Sequence, residues 1–166
     1  QTTTYIVSSP LSSVPLAPNP DFSQGNTGFS SSYTYEIPPN ILGSGSYFVG
    51  GNANHWNPGM SVLCGDHTSG VDTNMLIANA ALTSPTPVWC VTLNVAPNST
   101  YSLSGYFTCF SQTNLPKMQW MVNGTPIGSS ASSFFQCLWN PFNATWNSGN
   151  NTTATFCIFD PLTIGN

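Results

Sequence analysis

Through its middle the chain alternates apolar and polar positions. In VWCVTLNV, Trp89, Val91, Leu93 and Val95 fall on one side and Cys90, Thr92 and Asn94 on the other, the pattern of a strand buried on one face. After the turn residues PNST the pattern returns in YSLSGYFTCF, with Tyr101, Leu103, Gly105 and Phe107 opposed to Ser102, Ser104, Tyr106 and Thr108. The run MQWMVNGTPIG predicts a two-residue hairpin, because Asn123 and Gly124 tolerate the positive φ angles of a type I′ turn. FFQCLW, FNATW and TATFCIFD are predicted strands of the C-terminal half, with NSGNNT as the turn between the last two. Upstream, SYTYEI, SYFVG and NMLIANA are predicted strands, the last two separated by a Gly- and Asn-rich loop. Pro, Gly, Ser and Asn recur every few residues and break any 3.6-residue stripe, so no helix is predicted. Strands spaced by roughly 8–12 residues with turn signals between them define an all-β sandwich or barrel.

The N-terminus breaks this rhythm. TTTYIV, residues 2–7, reads as a strand, and prolines at positions 10, 15 and 18 then exclude both helix and ladder. The sequence therefore divides into an extended arm with a Pro-rich linker, residues 1–18, and a sandwich domain, residues 19–166. A domain of that size has a diameter of about 40 Å, and residues 8–18 in polyproline-like form reach about 34 Å. The arm can therefore fold back on its own sheet or reach a neighbouring copy. Strand addition to an open sheet edge supplies main-chain hydrogen bonds along the whole segment, and a head-to-tail contact that does not close yields a filament. The resulting expectation is an extracellular structural subunit that donates Thr2, Thr3, Thr4, Tyr5, Ile6 and Val7 to another copy of itself in a pilus-like fibre. Its required companion is a vacant strand slot in the isolated protomer.

Charge changes the picture mainly by exclusion. Only 4% of residues are charged, one lysine stands against five carboxylates, and the net charge is −4. Nucleic-acid binding needs clustered basic side chains, so that class is excluded. No apolar run approaches the roughly 20 residues that span a bilayer, and membrane insertion is not expected. An N-terminal Gln fits a mature secreted chain. Five cysteines without CxxC or Cys/His spacing favour disulfides in an oxidising compartment over zinc. Neighbouring or facing strands are expected to pair Cys90 with Cys137 and Cys109 with Cys157, leaving Cys64 over. Sequons at Asn98, Asn123, Asn143, Asn150 and Asn151 make these five the candidate glycosylation sites of a glycoprotein.

The segments NPDFSQGNTGF, GDHTSGVDTNMLIANA, VWCVTLNVAPNSTYSLSGYF, MVNGTPIG and FNATWNSGNNTTATFCI, taken in order, resemble a jelly-roll module of large secreted bacterial proteins. That module is similar to the galactose-binding-like and carbohydrate-binding-module superfamily. The resemblance implies a jelly roll over residues 19–160 and a role in sugar binding, adhesion or structure. It also implies a structural calcium held by Asp21 and Asp160 with backbone carbonyls. Ser23 departs from the pattern, standing where such modules commonly carry an acidic residue.

Candidate chemistry is sparse, and the chain is not read as an enzyme. Acid–base hydrolysis needs carboxylates facing across a cleft, whereas Asp66 and Asp72 share one loop. His67 beside Asp66, and His55 beside Trp56, read as loop residues. GxSxG is absent, and GSGS at residues 43–46 lacks the lysine and helix of a phosphate cradle. Aromatic side chains, 13% of the chain, are better candidates, because their faces stack on the apolar faces of sugars. Tyr106, Trp120, Trp139 and Trp146 are the predicted stackers, and a carbohydrate-binding or adhesin module of a larger secreted protein is the alternative to the filament subunit.

Overall fold

The computed structural model describes residues 5–8 (backbone only), 17–38, 43–55, 64–67, 74–110 and 115–162. Among the described residues ten strands carry the fold: β1 (Tyr5–Ser8), β2 (Thr34–Tyr35), β3 (Ser46–Gly50), β4 (Met75–Asn79), β5 (Pro87–Asn94), β6 (Thr100–Phe107), β7 (Lys117–Val122), β8 (Thr125–Ser132), β9 (Asn140–Asn147) and β10 (Thr153–Phe159). Among the described residues the helical content is one 3₁₀ turn, Ala53–His55, and no helix is long and apolar enough to cross a membrane. The architecture is all-β, as the alternation predicts.

Two sheets, ordered β1-β6-β9 and β5-β10-β7-β8, enclose the main core, and a third, β2-β3-β4, flanks it. Pairing is antiparallel throughout except between β2 and β3. Alternation sorts the side chains: Tyr101, Leu103 and Phe107 of β6 and Phe142 and Ala144 of β9 point inward to meet Trp89, Trp120, Phe156 and Ile158. Trp120 is the bridge between the sheets. Its ring stacks on Phe142 with centroids 5.2 Å apart, meets Trp89 edge-on at 6.4 Å, and its indole N–H donates to the Phe142 carbonyl at 3.3 Å. That bond satisfies the polar atom which would otherwise make a buried indole costly.

The β7–β8 hairpin turns at Asn123 and Gly124 with φ of 50° and 79°, as predicted for a type I′ turn. Asn123 also accepts the Thr155 N–H at 2.9 Å, tying the turn to β10. One predicted strand fails. FFQCLW forms no ladder and is a loop over residues 133–139, retaining only the isolated bridge between Cys109 and Gln136. The physical cause lies at Cys137, whose φ of 58° leaves the β region and whose side chain is held by a disulfide.

The cysteine pairing is also corrected. Cys90 bonds Cys157, not Cys137, because β5 and β10 are neighbours in register and place the two directly opposite, with Cα atoms 4.1 Å apart. Cys64 bonds Cys137 across two loops, and Cys109 is the buried free thiol, taking a hydrogen bond from Ser133 Oγ. Two disulfides of this kind fit an extracellular protein.

Strand β1 lies antiparallel on β6 of its own chain, from Tyr5 opposite Ser104 to Ser8 opposite Tyr101. The slot that strand donation requires is therefore filled within the single chain. Thr2, Thr3 and Thr4 of the proposed donor strand lie outside the described residues.

Two predictions follow from this packing. Trp120→Ala removes the inter-sheet ring and is expected to cost about 3–5 kcal/mol, read as a lower urea midpoint; a loss under about 1 kcal/mol would show that the sheets do not depend on it. Asp160 is buried, and burial raises its carboxyl pKa against the pull of the Leu162 and Lys117 N–H groups and the Lys117 charge. The folded state then holds the proton to higher pH than the unfolded chain, so stability falls as pH rises from the ordinary carboxylate value through the raised one. Asp160→Asn keeps the acceptor for Leu162 and is expected to lack this fall when melting is followed from about pH 3 to about pH 7.

Candidate functional site

The outward face of the β6–β9 pair is built from small uncharged side chains. Register sets Ser102 against Thr145 and Ser104 against Asn143, all turned away from the core by the strand alternation. Beside them, β8 brings Gly128 against β9. A Cβ at Gly128 would stand 3.0 Å from the Ala144 Cβ, and its φ of 64° belongs to the left-handed region, so glycine alone permits this approach without strain. Gln119 Nε2 holds the Gly128 carbonyl at 3.0 Å. The result is an open groove of about 470 Å³ bordered by Ser102, Ser104, Gly128, Asn143 and Thr145. Three hydroxyls and an amide therefore line it, and among the described residues no ionisable side chain does.

The row continues to Tyr106, which is paired with Pro141 on the same face. An aromatic cluster is built on it, two residues beyond Ser104 on the same strand face. The His67 ring stacks on Tyr106 with centroids 3.7 Å apart and planes 18° off parallel, and meets Trp139 edge-on at 5.7 Å. Trp139 donates its indole N–H to the Gly65 carbonyl at 3.2 Å, and the Cys64–Cys137 disulfide fastens the same two segments. Burial lowers the His67 pKa below its ordinary value, with the Asp66 charge opposing, so the ring is neutral at neutral pH. The loop that carries Trp139 also exposes Phe134, Phe135 and Leu138, at 67%, 68% and 51% of their surface.

Of the four predicted stackers, Tyr106 and Trp139 come together through His67. Trp120 does not join them, being 1% exposed in the core. Trp146 sits on the inward side of β9, packed on Tyr101 at 6.0 Å and Phe156 at 5.5 Å, and is half-buried. Alternation explains both corrections: each shares a strand face with core residues, Trp120 with Val122 and Trp146 with Phe142 and Ala144. Sequence reasoning set His67 aside as a loop residue and overlooked the hydroxyl row. Ser102 and Ser104 were legible as outward positions, but their partners Asn143 and Thr145 require the β6–β9 register.

The two carboxylates assigned to calcium are engaged locally. Asp21 accepts the Ser23 hydroxyl at 2.8 Å and the Ser23 N–H at 3.2 Å, and the hydroxyl bond is the main cause of its lowered pKa. Asp160 accepts the Leu162 N–H at 2.8 Å, and the Lys117 charge adds to the groups that oppose the rise in its pKa. Among the described residues no three His, Cys, Asp or Glu side chains come together.

The sequons differ in setting. Asn98 and Asn150 are exposed in turns, Asn123 stands in the β7–β8 turn, and Asn151 donates Nδ2 to the Ser148 carbonyl at 2.7 Å. Asn143 is exposed on β9 within the groove.

No protein-family model matches this sequence, and no curated protein matches it. Among solved structures, the chain is similar to a sugar-binding protein, the C-terminal domain of EclA, at 13% identity and a TM-score of 0.42. The match covers 48% of this chain and 59% of that domain's chain, so it spans less than two thirds of either.

Proposed function

We propose that this chain is a carbohydrate-binding module whose β6–β9 groove takes a neutral oligosaccharide. The observation that carries the reading is the groove row of Ser102, Ser104, Asn143 and Thr145, with the Tyr106, His67 and Trp139 cluster further along the same face. A sugar presents hydroxyls around its rim and C–H groups on its faces. Hydroxyl and amide side chains match the rim as both donors and acceptors, and an aromatic ring matches the face. The groove volume lies within the roughly 300–1,000 Å³ typical of small-ligand sites. Among the described residues no ionisable group lines it, so phosphate or carboxylate ligands find no counterion in that lining. His67 occupies one face of Tyr106, so a bound sugar takes either the exposed edge of this pair or the place of His67 itself.

Binding is expected to be insensitive to salt, since no charge pair forms. Titration with a panel of neutral oligosaccharides tests this, with Tyr106→Ala expected to weaken affinity about tenfold and Ser104→Ala about fivefold. Affinity that survives Tyr106→Ala unchanged, or a panel without any binder, would remove the reading.

A second reading has support from one feature, the position of β1 at the edge of the β1-β6-β9 sheet on a Pro-rich linker. With β1 released from its own sheet, the same four-residue pairing made by another copy would join subunits into a pilus-like filament. Electron microscopy of the whole chain beside a version lacking residues 1–18 decides it: filaments are expected only from the whole chain, and dispersed particles from both would end this reading.

A further inference from the structure

Asn143 is a glycosylation sequon and a groove residue at once. We infer that an N-linked glycan on Asn143 lies in the β6–β9 groove and acts as its covalent occupant, shutting it to free sugar. This rests on the reading of the groove as a sugar site.

Several facts separate Asn143 from Asn98, Asn150 and Asn151. It stands in the middle of a regular strand, opposite Ser104, and the alternation of β9 turns its side chain out of the core. Its amide makes no hydrogen bond among the described residues, so Nδ2 can carry a sugar without breaking a bond of the fold. Asn151 differs, because its Nδ2 already holds the Ser148 carbonyl. Asn98 and Asn150 are exposed at turns, where an attached glycan projects into solvent. From Nδ2 of Asn143, the first sugar meets Ser104 and Thr145 on either side and the β8 backbone at Gly128. These are the groups that would bind a free ligand. Tethering replaces a bimolecular encounter by an intramolecular one, so even weak contacts suffice to keep the groove filled.

The whole chain secreted from a eukaryotic host tests this through two independent readouts. Site-resolved mass spectrometry is expected to find Asn143 occupied. Peptide-N-glycosidase acting on the folded protein is expected to release its glycan at least about tenfold more slowly than those at Asn98 and Asn150, a difference that denaturation abolishes. Asn143→Gln, which keeps the amide and removes the sequon, is expected to bind neutral oligosaccharides at least about tenfold more tightly than the glycosylated parent. An unmodified Asn143, or a glycan released there as fast as at Asn98, overturns the inference and leaves the free-ligand reading standing. Slow release combined with an Asn143→Gln chain that binds nothing supports the covalent occupant and counts against the free-ligand reading alone.

Discussion

The contact between Trp120 and Phe142 is the hinge on which this fold depends. One ring comes from the β5-β10-β7-β8 sheet and the other from β1-β6-β9, so their stacking at 5.2 Å sets how closely the two sheets approach. Trp89 on one side and Phe107 on the other extend the contact, with ring separations of 6.4 Å and 5.6 Å. Because Phe142 faces inward, the strand period obliges Asn143 to face outward, and the register then sets it against Ser104. The outward hydroxyl and amide face is thus a consequence of the core. A slip of one residue in β9 would bury Asn143 and Thr145 and expose Phe142 and Ala144.

The scarcity of charge gives the molecule its second constraint. Most soluble domains keep about a quarter of their residues charged, whereas this one has 4% and relies on Ser, Thr, Asn and Gly for its polar surface. Exposed ion pairs add little to stability in any case, so the loss is small. Hydroxyl and amide networks take their place: Ser148, fully buried, accepts the Ser99 N–H at 2.9 Å and donates to the Ala96 carbonyl at 2.7 Å, joining the turns at one end of the sandwich. The same chemistry outward makes a surface that suits uncharged polyols better than ions.

Much of this was legible in the sequence because β6 and β9 alternate cleanly, and a strand whose inner face is apolar has only one way to lie on a core. The β7–β8 turn was legible for a different reason: Asn123 and Gly124 are among the few residue types that accept its φ angles. Where reading failed, the missing information was non-local. Phe134, Phe135 and Leu138 read as a strand because they are apolar, yet they are exposed in a loop fixed by a disulfide to a residue 73 positions away. The Cys90–Cys157 bond needed the β5–β10 register, and the four candidate stacking rings could not be sorted by residue type. For Trp120 a finer use of the alternation was available, since Met118, Trp120 and Val122 share one face in MQWMV.

The aromatic cluster at Tyr106 shows how the loops compensate for the absence of regular structure there. Tyr106 is placed by β6 and needs no help, but Trp139 and His67 come from segments without a ladder. Three independent ties hold them: the Cys64–Cys137 bond, the Trp139 N–H on the Gly65 carbonyl, and the His67 ring on Tyr106. The disulfide removes much of the conformational freedom that a loop closure of this length leaves to the unfolded chain, a contribution of about 4 kcal/mol in the chain-entropy account. A stacked pair adds only about 1 kcal/mol. The geometry of the cluster is therefore set mainly by the covalent tie, while His67 rests on Tyr106 through the weakest of the three. Of all the contacts at the site, that stacking is the one a ligand can most readily displace without disturbing the fold.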